Sequence, residues 1–328
     1  MRKLASIQRI KSIKPIPDAD AIEVAEVLGW EVVVKKNEFK VGDLCVYCEI
    51  DSQLPERPEF EFLRKSNFRI KTLKLRGQIS QGICFPLSIL KQDVDLVEGA
   101  DVTEILGVVK YEPPIPAELS GTAKGKFPSF FQITDEKRIQ TLPNIVEQYS
   151  GKSFIATEKL DGSSCSFYWY NGTFGVCSRN WDLYESPTNT MWKFARENDI
   201  ENKLKSLGRN IALQGEIIGE GIQKNKYKIK GHTVRFFRVF DIDQYQYLSY
   251  EDMIPLINGL GLETVPILDM NYILPSTIEE VLKYADGKSK LNPQVDREGV
   301  VFVRYETSNN GRLSFKAISN KFLIKNNE

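Results

Sequence analysis

Histidine is almost missing from this chain: its 328 residues contain one, His232. A tetrahedral zinc site of histidines and cysteines therefore runs out of ligands. Cysteine is sparse as well, five in all at 45, 48, 84, 165 and 177. An odd, scattered set excludes a disulfide framework and suits a reducing compartment. Cys45 and Cys48 form a C-x-x-C, but there is no second pair, and residues three apart on a strand face opposite ways, so these read as structural thiols. No sign of charge is in excess, since 44 basic residues balance 44 acidic ones. Nucleic-acid binding must then rest on local patches rather than on overall attraction. No apolar run is long enough to cross a membrane, and the basic N-terminus lacks the apolar stretch of a leader. The expectation is a soluble, cytoplasmic monomer without internal repeats or low-complexity tracts. Its length allows two domains, each with its own core.

What is present concentrates in the second half. Phe154 to Glu158 reads as a strand ending at Lys159-Leu160-Asp161-Gly162. The run Cys165–Tyr170, the turn pair Asn171-Gly172 and the run Thr173–Ser178 then read as a hairpin. A lysine two residues before Asp-Gly at a strand end is the signature of a covalent nucleotidyl transferase. To act as a nucleophile it must lose its proton, and lowering its pKa from about 10.4 to about 7.5 costs about 4 kcal/mol. Burial and neighbouring cations are the expected means.

Further on, Ser178-Arg179-Asn180 offers a guanidinium for a phosphate or sugar. Leu213-Gln214-Gly215-Glu216-Ile217-Ile218-Gly219 places a carboxylate in an apolar strand, where an unpaired charge is costly. The strand Val234–Ile242 carries Phe240, and Phe237 as the alternative, to stack on a base. Arg297-Glu298-Gly299-Val300-Val301 sets a second carboxylate at the head of an apolar strand, suited to a hard divalent cation. Ser314-Phe315-Lys316-Ala317-Ile318 puts a lysine inside an apolar strand, where a lysine without a partner is rare.

Taken in order, these six stretches resemble the motifs of the ligase and capping-enzyme superfamily, over residues 130 to 325. Only twelve residues, Ala317–Glu328, follow Lys316, which argues against the DNA ligases and capping enzymes, where an OB domain follows. A module of about 110 residues stands in front instead. That layout is similar to the ATP-dependent RNA ligases of the Deinococcus type, as is the ending Lys316-Ala-Ile-Ser-Asn-Lys321-Phe-Leu. The resemblance implies an α+β protein: an N-terminal OB-like β-barrel followed by an ATP-grasp-like nucleotidyltransferase domain of antiparallel sheets with flanking helices. It implies that Lys159 takes AMP from ATP, that the adenylyl group passes to an RNA 5′-phosphate, and that a 3′-hydroxyl displaces AMP, sealing nicks in RNA repair. By the same resemblance Glu158 helps select adenine, Arg179 meets the ribose or incoming phosphate, and Glu216 binds the ribose. Phe240 stacks on the base, Glu298 holds Mg²⁺ or Mn²⁺, and Lys316 binds phosphate. Many RNA ligases carry a Lys-x-Lys pair at this point, but here Ser314 and Ile318 flank Lys316 at that spacing, so either Lys321 substitutes or Lys316 acts alone. The segment Thr134–Gln140 resembles one found ahead of the nucleophile in RNA ligases, so Arg138 or Gln140 either touches substrate or belongs to a charged helix start. The competing readings are a DNA ligase, a GTP-using capping-type enzyme, and an inactive nucleic-acid-binding relative.

The front module, residues 1–110, reads as strands Leu4–Ile13, Ile22–Val34, Leu44–Ile50, Phe68–Leu75 and Ile79–Pro86, an OB-like count. From Arg64 to Arg76 there are six basic residues and no acidic one, and the 69/71 and 74/76 spacings predict basic strand faces suited to a phosphate backbone. Trp30, Phe60, Phe62 and Phe68 could stack on bases, although core packing is the default for most of them. Prolines and glycines between 106 and 130 predict a linker at 111–130, with the nucleotidyltransferase domain at 131–328. Deleting residues 1–110 is then expected to spare adenylate formation. Helices are predicted at Thr188–Leu207, Ser249–Gly259 and Ser276–Ala285, the last opening on the capping box Ser276-x-x-Glu279.

Overall fold

The computed structural model describes residues 3–90, 95–111, 122–305 and 312–326. Its front domain contains β1 (Ala5–Pro15), β2 (Ile22–Val27), β3 (Trp30–Lys35), β4 (Leu44–Cys48), β5 (Ser52–Gln53), β6 (Thr72–Leu75), β7 (Gln78–Gln81), β8 (Ile83–Phe85), the short helix α1 (Thr103–Leu106) and β9 (Val109–Lys110). The main sheet runs β3-β2-β1-β4-β8. Strand β1 pairs with both β2 and β4, and its register shift between Ile10 and Ser12 bends it from one to the other. The amide of Val33 on β3 donates to the hydroxyl of Ser80 on β7 at 3.0 Å, which brings the sheet close to closure, as in an OB-like barrel.

The barrel interior is predominantly apolar, with Ile7, Ile10, Trp30, Val46, Tyr47 and Phe60 buried and the Tyr47 hydroxyl donating to the Gln81 carbonyl at 2.9 Å. Trp30, Phe60 and Phe68 are therefore core residues rather than stacking platforms; Phe62, 63% exposed, is the exception. Turn chemistry that outweighs β propensity breaks up the long strands expected here. Leu28-Gly29 splits Ile22–Val34 into a hairpin, with Leu28 left-handed at φ 56°. Pro58–Ser66 is a 3₁₀ segment closed by left-handed Asn67 and Phe68, so only Thr72–Leu75 of the run from Phe68 is extended. The basic patch shrinks accordingly. Arg64 is held by Glu56 and Glu61, and Arg69 by Asp51, while Lys74 and Arg76 stay exposed.

The second domain starts earlier than the expected linker end. Strand β10 (Ala123–Lys126) is the edge of an eight-stranded sheet ordered β10-β14-β13-β12-β15-β16-β17, with β18 paired to β16. Its other members are β12 (Ser163–Tyr170), β13 (Thr173–Ser178), β14 (Trp181–Leu183), β15 (Ile211–Gly219), β16 (His232–Asp241), β17 (Gln246–Tyr247) and β18 (Glu263–Thr264). Phe127 and Phe130 pack with Phe131 and Tyr168, which makes this end of the supposed linker part of the domain; residues 112–121 lie outside the described residues. A four-stranded sheet ordered β19-β11-β20-β21 faces the first, built from β11 (Ser153–Lys159), β19 (Ile267–Ile273), β20 (Gly299–Tyr305) and β21 (Arg312–Ile318).

Alternation along β11 and β20 divides the core. Ile155, Val301 and Val303 face the larger sheet, whereas Phe154, Ala156, Val300 and Phe302 face α2 (Pro143–Tyr149) and α6 (Ile278–Ala285). The predicted helix 188–207 is two helices, α3 (Thr190–Glu197) and α4 (Ile200–Ser206), broken at left-handed Asp199. The predicted 249–259 helix is α5 (Tyr250–Gly259), with Ser249 as its N-cap. The capping box of α6 sits one residue later than read, because Thr277 accepts from the Glu280 amide and donates to its carboxylate. Helix α7 (Asn320–Asn326) ends the described chain and lies against β6 of the front domain, where Gln81 reaches Asn320 at 3.3 Å. Among the described residues no helix is long and apolar enough to cross a membrane.

Candidate active site

A cavity of about 790 Å³ opens between the two sheets, reached by Lys159, Glu216, Glu298 and Lys316. Backbone pairing puts them there: Lys159 ends β11 opposite Gly299 of β20, and Val301 pairs with Lys316 of β21. The glycines that follow the charged residues permit the approach of the strands. A Cβ on Gly162 would sit 2.4 Å from the Ile217 carbonyl oxygen, and one on Gly299 would sit 2.3 Å from that of Ala317. Any side chain at either position would wedge the strands apart.

Lys159 Nζ donates to both oxygens of Glu298, at 2.7 Å each. Burial alone would lower its pKa, but the carboxylates of Glu298, Glu216 and Asp161 outweigh burial and raise it. The carboxylates thus favour the ammonium form of the lysine, the reverse of the depressed pKa expected from sequence. Burial pushes Glu216 up to about 8, with Glu298 and Asp161 adding to it against the pull of Lys159; Glu298 also moves up through burial. The lowered lysine is Lys316, brought to about 7 by burial first and the nearby Lys159 second. Asp161 is paired with Lys226, and its amide donates to the Tyr227 hydroxyl at 2.7 Å.

Three cations from separate parts of the chain converge on Asp135: Lys110 at 3.3 Å, Arg179 at 3.4 Å and Lys316 at 3.6 Å. Beside them Glu136 holds Arg238, Arg312 at 2.8 Å and the Ser314 hydroxyl at 2.7 Å. Sequence reading noticed this segment for Arg138 and Gln140 and missed Asp135 and Glu136. Arg138 lies at the seam between domains, donating to Asp51 at 2.7 Å with Trp30 beneath it at 6.0 Å. Gln140 is buried at the same seam, its carbonyl accepting from the Gly29 amide at 2.9 Å. Lys321 is 74% exposed on α7 and pairs with Asp286 at 3.5 Å, away from the cavity. Glu158 lines the inner end of the cavity, and one carboxylate oxygen accepts from the Lys290 amide at 2.7 Å.

Phe240 is a correction. It is fully buried among Phe131, Tyr168 and Ile242 and does not line the cavity, whereas Phe237 does. The cause is a bulge: Gln214 pairs with Arg238 but Gly215 pairs with Phe236, leaving Phe237 as the extra residue. It turns Phe237 and Arg238 both toward the cavity, and Phe240, farther along, is covered by the 127–131 segment. No group of three or more histidine, cysteine or carboxylate side chains is arranged to hold a metal ion among the described residues.

A nucleophile-type lysine at a strand end, carboxylates around it and cations at the mouth, in a cleft behind an OB-like barrel, define a two-domain covalent nucleotidyl transferase. The comparisons agree. A family model described as OB-fold domain matches residues 4–87, and one described as RNA ligase matches residues 152–318. Solved structures of Naegleria gruberi RNA ligase are similar over nearly the whole chain. An apo variant is 44% identical with a TM-score of 0.91, covering 98% of each chain. A lysine-to-methionine variant with AMP and Mn is 45% identical, TM-score 0.91, again 98% of each. The enzyme with PPi is 44% identical, TM-score 0.91, 98% of each. Comparison with curated proteins finds no match. The chain belongs to the RNA ligase family.

Proposed function

We propose that this chain is an ATP-dependent RNA ligase that carries AMP on Lys159 and seals 5′-phosphate to 3′-hydroxyl ends, acting as a monomer on nicked RNA duplexes in RNA repair. The observation that carries the reading is Lys159 Nζ at 2.7 Å from both oxygens of Glu298, inside a cavity with room for a nucleotide and basic at its mouth. In the first step Nζ, once deprotonated, bonds to the α-phosphorus of ATP and the bond to pyrophosphate breaks. Glu298 and Glu216 are the residues that would hold a divalent cation, which would supply positive charge to offset that of the phosphates and would favour the neutral amine. A site offering only one or two carboxylates fits Mg²⁺ or Mn²⁺, which complete their shells with waters and substrate phosphates.

Phe237 takes the base-stacking role once read for Phe240, and Glu158 closes the base end. Glu216 also meets the ribose. Lys316, Arg179 and Lys110, gathered on Asp135 in the free site, receive phosphates in its place and orient the leaving group. In the later steps the adenylyl group moves to the RNA 5′-phosphate, and the 3′-hydroxyl oxygen displaces AMP. Because Lys110 lines the cavity and Asp51 holds Arg138, the front domain takes part in the first step as well, and its removal slows adenylation rather than sparing it. The five buried, unpaired cysteines support a reducing, cytoplasmic setting.

Incubation with α-labelled ATP and a divalent ion tests the reading. Label retained on denatured protein, mapped by mass spectrometry to Lys159, is the expected result; labelling by GTP instead would indicate capping-type chemistry, and no label would remove the enzyme reading. Sealing of matched nicks with RNA or DNA on each side then defines the strand preference.

A further inference from the structure

The segment joining β15 to β16 reads Gln223-Lys224-Asn225-Lys226-Tyr227-Lys228-Ile229-Lys230, a lysine at every second position. Its conformation is costly: Gln223, Lys224, Asn225 and Lys228 are all left-handed, with φ of 44°, 59°, 45° and 57°, a region that non-glycine residues avoid unless the surroundings impose it. The surroundings do impose it. Asn225 folds back on Ile229 through its side-chain nitrogen at 2.8 Å and its side-chain oxygen at 3.0 Å. Tyr227 accepts from the Asp161 amide, and Gln223 donates to the Gly162 carbonyl at 3.4 Å. The loop is thereby bolted to the turn that carries the nucleophile, with Gln223 on the cavity wall.

One lysine serves this anchoring: Lys226 pairs with Asp161 and lies 4.1 Å from the Phe322 ring of α7. The other three, Lys224, Lys228 and Lys230, are exposed. Among the described residues none of them makes an ion pair, and Lys228 reaches only the neutral amide of Gln294, at 3.3 Å. This differs from the basic residues around them, since Lys288 and Lys325 are offset by Asp296 and Lys321 by Asp286. Helix α7, which touches this loop through Phe322, also touches β6 of the front domain with its exposed Lys74. Uncompensated positive charge is thus held in the loop whose first residue, Gln223, lines the cavity wall, on the side where α7 leads to the exposed basic remnant of the barrel.

We propose that the 223–230 loop is a docking surface for the phosphate backbone of the RNA substrate, with Lys224, Lys228 and Lys230 as its contacts. This rests on the ligase reading above. A polyanion is the chemistry that a fixed row of unpaired ammonium groups complements, and a row fixed to the nucleophile's own turn places that strand beside the reacting lysine. The surface acts when RNA arrives and not when ATP does.

The test is fluorescence-anisotropy titration of a 5′-phosphorylated nicked RNA duplex against the full chain at several salt concentrations. The variant Lys224→Ala/Lys228→Ala/Lys230→Ala is compared with Lys224→Arg/Lys228→Arg/Lys230→Arg. For the alanine variant the expected outcome is binding weaker by about 10- to 100-fold at ~0.15 M salt, and a log–log salt slope shallower by about 2, at roughly 0.7–0.9 per lost phosphate contact. Labelling of Lys159 by ATP should be unchanged, which also shows that the variant is folded, and the arginine variant should bind as the original chain does. Unchanged affinity and salt slope in the alanine variant would overturn the proposal, as would absence of RNA binding by the unaltered chain. RNA binding that responds as expected, without any labelling of Lys159, would sink the ligase reading and leave the surface standing.

Discussion

The interior of the front barrel and the cleft between the second domain's sheets are both enclosed by β-structure, and they use burial in opposite ways. The barrel encloses Ile7, Ile10, Trp30, Val46 and Phe60 with no ionised side chain among them, so its burial is stabilising. The cleft partly withdraws Lys159, Glu216, Glu298 and Lys316 from water, and each such transfer is unfavourable unless the charges are set against one another. They are, but unevenly: carboxylates raise Lys159, while burial first and the neighbouring lysine second lower Lys316 to about 7. Stability resides in the first region and chemistry in the second, and the two should respond differently to substitution.

The largest separation is expected at the nucleophile. Lys159→Ala abolishes ATP-dependent labelling of the protein, read by gel or mass spectrometry. The barrel gives the converse: Phe60→Ala, at a fully buried position, costs about 3–5 kcal/mol of stability. Its melting temperature falls, while labelling below the melt is retained. A sharper comparison lies within one strand. Phe237→Ala raises the KM for ATP by about 5- to 150-fold, the loss of a stacked base worth about 1–3 kcal/mol, with little change in melting. Phe240→Ala, removing a ring packed among Phe131 and Tyr168, instead lowers the melting temperature and leaves the KM of the remaining folded enzyme near the original.

The smallest effect is that of pH. With its free-site pKa lowered to about 7, Lys316 is largely neutral above that pH and must take up a proton to pair with phosphate, so its pKa rises on binding. Affinity for pyrophosphate should then be fully present below about pH 7. It should weaken by up to about tenfold per pH unit above it, and Lys316→Arg should flatten the profile.

The charged residues of the cleft were legible because Glu216 and Glu298 stand beside glycine in or at the head of an apolar strand, Lys316 interrupts another, and Lys159 ends a strand two residues before Asp-Gly, patterns with no explanation in packing alone. The OB-like front module was legible from its count of short strands, and the order of the two domains from the length of chain ahead of Lys159. What escaped depends on contacts distant in sequence. The ring that lines the cavity was misplaced by a bulge opposite Gln214 and Gly215, and strand alternation cannot reveal an extra residue. Asp135 drew no notice because its three cations come from residues 110, 179 and 316. The basic run from Arg64 to Arg76 was overestimated, since the acids that offset Arg64 and Arg69 lie outside that window.

The grip of Asp51 on Arg138, with Trp30 beneath and the backbone of Lys137 accepting from the Lys316 amide at 2.8 Å, bears on how such chains can be recombined. A front module borrowed from another protein would graft onto this catalytic half only if it brought its own acid to that joint. Without one, an arginine evolved for company is left stranded beside the strand that carries Lys316, and a hybrid designed to alter RNA choice would falter at its use of ATP.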